Sequence, residues 1–389
     1  MSLYTRLHKL VYGRHRAARL YQPLNRIELS RAAVLENFSL LQRQHPKFSI
    51  MPVLKANAYG HGLEEMADIL NAVNCGFLAV DGYFEAAKIR FNSKHRILVM
   101  GYIKSENVPL LDTKRCSFVV QDKAGLEAFG RLRRPVRIHM ELNTGMNRLG
   151  LQPEEVDEYL ATLKRFPNLE LEGVMSHLAD ADNEANDIFT KAQIAAFDKQ
   201  VERILSQGFK PKFIHIAQTA GSAKSQSAYA NGLRLGIGLY GINPLSPKDL
   251  HYKDLSGLKP ILELKSTIIK VIDLKPGDKV SYNGIFTAKE PTRIGVLPLG
   301  YYEGVIRELS NAGCVTNSSN VLPIVGRICM NHTTVNLTGN NLTVGDEVTI
   351  FSANPTNPNS VVRLYTDHKL FSYTLLAGLS DSVRRVIVQ

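Results

Sequence analysis

The hydrophobic pattern of the chain changes character once. From residue 24 to about 257, short apolar runs alternate with stretches of helical period. Arg26–Leu29 is strand-like, and Ser30 can cap a helix running through Ala33, Leu35, Phe38 and Leu41. The further strand candidates are Ile50–Leu54, Phe77–Val80, Ile97–Met100, Phe118–Val120, Val136–Leu142, Leu171–Met175, Phe213–Ala217 and Leu235–Tyr240. Amphipathic stretches such as Glu154–Phe166 and Asn186–Gln207 lie between them. Eight such strands with intervening helices predict a (β/α)8 TIM-type barrel, an α/β fold whose all-parallel sheet is buried on both faces.

Near Pro260 the period becomes two, as in Ile261–Val271, and turn signals such as Lys275-Pro276-Gly277-Asp278 punctuate it. No long helical pattern returns. The expectation is a basic extension over 1–23, a barrel over 24–257 and a mostly antiparallel β domain over 258–389. Ala353–Ser360, rich in Asn, Pro and Ser, reads as a surface loop.

Composition narrows the function classes. A length of 389 residues suits two domains, and 44% apolar content supplies their cores. No run approaches the roughly 18 apolar residues of a membrane span, so a soluble protein is expected. Cys75, Cys116, Cys314 and Cys329 are scattered without metal-ligand spacing, which suits free thiols in the cytoplasm. The net charge of +11 invites a nucleic-acid reading. Almost half of that excess, however, sits in Arg6, Lys9, Arg14, Arg16 and Arg19, and the rest lacks the aromatic–basic interleaving of a single-strand binder. Neither a nucleic acid nor a membrane is therefore expected as a partner. The leader could also be an organelle transit signal, but it is short and poor in Ser; it reads as a solvated extension.

Candidate chemistry falls where a barrel puts it, at the carboxyl ends of strands. Lys55 ends an apolar strand and opens the run Lys55-Ala56-Asn57-Ala58-Tyr59-Gly60-His61-Gly62. Desolvation favours a neutral lysine, which can form a Schiff base with an aldehyde. Thr219-Ala220-Gly221-Ser222 offers a hydroxyl and small residues to a phosphate. Arg234-Leu235-Gly236-Ile237-Gly238 allows close backbone approach to an anion, although its glycines would serve tight barrel packing equally well.

Together these runs resemble the alanine racemase family over essentially all of residues 24–389. The resemblance implies a pyridoxal 5'-phosphate barrel with a β domain, working as a head-to-tail homodimer with shared active sites, and no metal. Lys55 matches the Schiff-base lysine and one catalytic base. Tyr59, Thr219, Gly236, Ile237 and Tyr373 match phosphate-binding positions, and Arg234 the arginine facing the pyridine nitrogen. His215 matches the histidine bonded to that arginine. Tyr282, in Val280-Ser281-Tyr282-Asn283-Gly284, matches a second catalytic base delivered by the partner subunit. His177 matches the histidine linking that tyrosine towards Arg234. Arg148, Met330 and Tyr301 match positions that line the substrate. The implied activity is two-base interconversion of L- and D-alanine, supplying D-alanine for peptidoglycan precursors. A second base is required because one lysine reaches only one face of Cα. A guanidinium keeps its proton, so it can donate to the ring nitrogen without protonating it.

The chain departs from the family at Glu141, where many members place a carbamylated lysine. The expectation is that Glu141 holds Arg148 directly. Gln218-Thr219 and Asn331 replace commoner Asn-Ser and Asp. Alternative readings are a racemase of broader preference (serine, lysine), a barrel-type pyridoxal-phosphate decarboxylase and a non-catalytic carrier of the cofactor. A decarboxylase needs no second base, and carriers resemble the barrel alone.

Overall fold

The computed structural model describes residues 21–224, 227–318 and 320–389, so most of the basic leader lies outside the described residues. Strand β1 (Arg26–Ser30) leads into helix α1 (Arg31–Gln44), and Ser30 Oγ accepts from Ala33 N at 3.2 Å, as the capping signal predicts. Eight parallel strands follow: β2 (Ser49–Pro52), β3 (Leu78–Val80), β4 (Ile97–Val99), β5 (Cys116–Val120), β6 (Val136–Glu141), β7 (Leu169–Met175), β8 (Phe213–His215) and β9 (Gly232–Leu235). Their order is β2-β9-β8-β7-β6-β5-β4-β3. A bridge between Val53 and Ala79, with Leu54 N donating to Ala79 O at 2.7 Å, brings the two outer strands together into a nearly closed barrel. Between the strands run α2 (Leu63–Leu70), α3 (Tyr83–Ile89), α4 (Lys123–Gly130), α5 (Val156–Lys164), α6 (Ile188–Ser206) and α7 (Thr219–Lys224).

Period two along the strands sorts their side chains. One set packs outward against the helices, with Ile50, Leu78, Val80, Ile97, Val99, Phe118 and Ile138 all buried there. The other fills the interior, where Met51, Phe77, Leu98, Val119, Met175 and Phe213 form a separate cluster.

Two expectations need correction. The last barrel strand is Gly232–Leu235, and residues 237–240 form a 3-10 turn instead of the strand expected at Leu235–Tyr240. Gly236, at φ −91° and ψ −111°, leaves the extended region, so the apolar run beyond it cannot continue the sheet. Downstream of the barrel, two short helices appear where none was expected: α8 (Val361–His368) and α9 (Ser372–Ala377). Ser360 caps α8, its Oγ accepting from Arg363 N at 3.2 Å, and the Val361-Val362 start hid the helical period.

The chain forms two compact units. The barrel unit comprises Glu28–Glu263, Ser352–Asp381 and Arg385–Gln389, so it takes in α8 and α9. The β unit comprises, among the described residues, 21–27, Leu264–Phe351 and Ser382–Arg384. Its strands are β10 (Leu262–Thr267), most of which it holds, β11 (Lys270–Leu274), β12 (Lys279–Val280), β13 (Phe286–Thr287), β14 (Thr292–Leu297), β15 (Cys314–Asn317), β16 (Asn320–Pro323), β17 (Thr333–Asn336) and β18 (Glu347–Phe351), whereas β19 (Arg384–Val388) falls mostly in the barrel unit. Pairing among β10–β18 is antiparallel, as in β11-β14-β17, whose register sets Ile272 opposite Ile294.

Candidate active site

Lys55 stands three residues beyond β2, at the carboxyl end of the barrel, and is half-buried. The chain then makes an unusual turn. Ala56, Asn57, Ala58 and Tyr59 have φ of 55°, 51°, 54° and 52°, and Gly60 follows at 79°. A left-handed turn of L-residues costs roughly 1–2 kcal/mol per residue, so the surroundings must impose it. They do so through Asn57, whose Nδ2 donates to Asp381 Oδ1 at 2.5 Å and whose Oδ1 accepts from Leu63 N at 2.8 Å. Arg385 Nη2 also donates to Gly60 O at 2.7 Å. Only glycine fits at position 60, because a Cβ would lie 1.9 Å from Leu376 O in α9. The turn directs Tyr59 back over the barrel mouth.

There Tyr59 meets the other predicted phosphate ligands. Its ring lies 6.0 Å from that of Tyr373 and 4.9 Å from that of Tyr240. A Cβ on Gly236 would approach the Tyr59 hydroxyl to 3.0 Å, so the bare backbone of Gly236-Ile237 faces that hydroxyl. Thr219, at the start of α7, accepts through Oγ1 from Gly238 N at 3.1 Å. Burial pushes the Tyr59 phenol up to about 12, against the opposing charge of Arg234, so it remains a neutral donor.

Arg234 is buried at the end of β9. Its Nη1 bonds His215 Nδ1 at 2.6 Å and donates to His215 O at 3.1 Å. Nη2 donates to Ser176 O at 2.6 Å and Ile216 O at 3.0 Å, and meets His177 Nδ1 at 3.1 Å. Among the described residues no acceptor is assigned to Nε–H. Desolvation brings this guanidinium down to about 10, which leaves it cationic at neutral pH. Burial, then the charges of Arg234, Arg148 and Lys55, hold His177 down at about 3, and burial with Arg234 holds His215 well below the ordinary range. Both rings are neutral. Each must accept through Nδ1, because arginine has only donors.

These residues fit a phosphorylated pyridine aldehyde. Lys55 offers the amine, the spare Arg234 Nε–H suits a ring nitrogen, and a hydroxyl-rich cradle closed by bare glycine backbone suits the phosphate.

The remaining predicted residues fall in two places. Tyr282, Tyr301 and Met330 belong to the β unit and are exposed. Ser281, at φ 62°, anchors its Oγ on Arg327 O at 2.6 Å and so holds Tyr282 outward. Tyr301 N donates to Cys329 O at 3.1 Å, tying the Tyr301 turn to the loop that carries Met330. On the barrel unit, Arg148 is exposed, whereas Glu141 is 6% exposed at the end of β6. No ion pair joins them among the described residues, so the expected direct contact is absent. Glu141 stays buried at the strand end, while Arg148, next to the left-handed Asn147, is exposed. Burial raises the Glu141 carboxyl, while a hydrogen bond from Gln121 and the Arg234 and Arg148 charges oppose this.

Sequence reasoning missed a buried polar chain below Arg234. His215 Nε2 lies 3.0 Å from His139 Nδ1, and His139 Nε2 lies 3.4 Å from Glu172 Oε2. Arg96 grips Glu172 at 2.6 and 2.9 Å. The available signal was a histidine inside the apolar run Val136–Leu142 and a glutamate inside Leu171–Met175.

Similarity to known proteins extends over most of the chain. The family described as "Alanine racemase, N-terminal domain" matches residues 29–244, and "Alanine racemase, C-terminal domain" matches 261–387. The chain is 32% identical over 361 residues to the alanine racemase of Staphylococcus saprophyticus, covering 91% of this chain and 92% of that one. Its fold is similar to the alanine racemase of Clostridium difficile 630 (TM-score 0.87, 26% identity, 95% and 96% of the two chains). It is also similar to that of Bacillus anthracis with bound L-Ala-P (TM-score 0.85, 25% identity, 95% and 96%).

Proposed function

The chain belongs to the alanine racemase family, and from that premise we propose that it interconverts L- and D-alanine with Lys55 and Tyr282 as opposed bases. The observation that carries the reading is the mouth geometry: a lysine beyond the end of β2, a buried arginine whose Nε–H has no acceptor among the described residues, and a cradle of hydroxyls and bare glycine backbone. Pyridoxal 5'-phosphate, when bound, supplies the electron sink that makes the substrate Cα–H acidic. Lys55 would hold it through its Nζ, Tyr59, Tyr373, Thr219 and the Gly236-Ile237 backbone would hold its phosphate, and Arg234 Nε–H would donate to its ring nitrogen.

Arg148 and the Met330 backbone N–H would bind the alanine carboxylate, and Tyr301 would narrow the entrance so that a methyl side chain fits. Once the substrate amine has replaced it on the cofactor, the freed Lys55 Nζ would take or return the Cα proton on one face, and the hydroxyl of the partner subunit's Tyr282 would do so on the other. His177 prepares that tyrosine. With Nδ1 engaged by Arg234, its proton sits on Nε2, where it can donate to a phenolate oxygen. The exposure of Tyr282 on a fixed backbone supports its delivery to a second copy of the chain. All four cysteines are free, which supports work in a reducing cytoplasm, where D-alanine would feed cell-wall precursors.

The test is L-alanine in deuterated water. Deuterium should enter Cα as the enantiomers equilibrate, and D-alanine should behave alike. Release of carbon dioxide with retained configuration would sink the reading.

A further inference from the structure

We propose that His139 and Glu172 are positioning residues that lock His215 in the tautomer able to accept from Arg234, thereby fixing the arginine's remaining N–H towards the cofactor site. The inference rests on the reading of Arg234 as the ring-nitrogen partner.

The chain of groups runs through the barrel interior, and its direction is forced from both ends. A guanidinium has donors only, so His215 Nδ1 accepts from Arg234 Nη1 at 2.6 Å. The neutral ring then carries its proton on Nε2, which meets His139 Nδ1 at 3.0 Å and donates to it. His139 in turn carries its proton on Nε2, facing Glu172 Oε2. That contact is 3.4 Å, long for a hydrogen bond, and acts as an ion–dipole contact.

At the other end, Glu172 can only accept. Arg96 holds it with a two-pronged grip, and Ser117 Oγ donates to Oε2 at 2.6 Å. Burial pushes this carboxyl up, but the facing His139 N–H, the hydrogen bonds from Arg96 and Ser117 and the Arg96 charge outweigh it and bring it to about 2. Burial also keeps His139 below its ordinary range, so the two imidazoles are neutral between two permanent charges. Reversing either tautomer would set N–H against N–H or a lone pair against the carboxylate.

The fold gives up space for this arrangement. Gly173 pairs with His139 across β6 and β7, and a Cβ there would lie 2.3 Å from His139 Nδ1. The ring also stands edge-on to Phe77, with centroids 5.5 Å apart, and parallel to Phe213 at 6.1 Å. An apolar residue would fill the same volume without burying a polar ring. A histidine between a histidine and a carboxylate orients its neighbour, as outer partners of metal-bound imidazoles do.

The experiment uses the full-length holoenzyme labelled with [15N]histidine. Wild type should show His139 and His215 each in one tautomer, with Nδ1 unprotonated. In Glu172→Gln, which can donate as well as accept, His139 should populate both tautomers. kcat for alanine should fall about tenfold with KM within about twofold, and Glu172→Asp should recover most of the loss. Unchanged tautomers, or unchanged kcat with altered tautomers, would overturn the proposal. Should Glu172→Gln fail to fold, Ser117→Ala removes one donor from the carboxylate and should shift the His139 Nε2–H resonance; an unmoved resonance overturns it equally. A wild type with fixed tautomers and no racemisation would refute the proposed function alone.

Discussion

Two side chains separate binding from proton transfer. Tyr282 projects from a backbone held by Ser281 and Asn283, both at φ 62°, and no Tyr282 hydrogen bond appears among those assigned to the described residues. Its removal should therefore leave the fold intact. Tyr282→Phe is expected to keep the cofactor and lower racemisation at least about 100-fold, the scale of a general base. Exchange of Cα–H in deuterated water should persist for one enantiomer only, read by proton NMR. Glu141 gives the opposite expectation. Because it forms no ion pair with exposed Arg148, Glu141→Gln should change kcat/KM for alanine by no more than about threefold, within the range of a weak charge interaction. A larger loss in steady-state assays would show that the carboxylate reaches Arg148 in the working enzyme.

At the level of elements, the left-handed turn after Lys55 is the most demanding piece of backbone. Gly60→Ala places a methyl against Leu376 O at a φ of 79° and should destabilise the barrel unit by about 3 kcal/mol, seen as a lower Tm and loss of bound cofactor. Gly60 and Gly62 are turn signals, but they do not give the hand of the turn. Handedness is imposed by Asp381 and Arg385, partners that no local pattern contains. The barrel strands were legible because parallel strands buried on both faces read as short apolar runs. Beyond Gly236 the same apolar signal misled, since burial alone does not distinguish a strand from a 3-10 turn. The site was legible where motif residues cluster in sequence, as at Lys55 and Tyr59. The polar chain through His139 and Glu172 was not, because each sits alone within an apolar run and they meet only across β6 and β7.

For the molecule as a whole, buried neutral histidines set the acid limit. Burial holds His61 down at about 4, against backbone hydrogen bonds that oppose it, and keeps His139 and His215 below their ordinary range. Groups depressed on folding bind protons more readily when unfolded, so stability falls as pH drops below about 6.5. Three such rings together would cost about 4 kcal/mol for each pH unit below that point until each reaches its folded value. Glu172 adds to the loss below about 4.5, the ordinary carboxyl range, since its folded value is about 2. Urea midpoints at pH 7, 6 and 5 should decline steeply; a flat profile would show that the rings are protonated in place. A different consequence follows from the contacts that bend the chain after Lys55. Asn57 and Asp381 are 324 residues apart, and Gly60 and Arg385 are 325 apart. On a ribosome, the eight barrel strands emerge long before Asp381 and Arg385 do. The nascent barrel can collapse early, yet its reactive lysine acquires a defined neighbourhood only when the last segment docks, so competence to capture the cofactor should be among the final events of biogenesis.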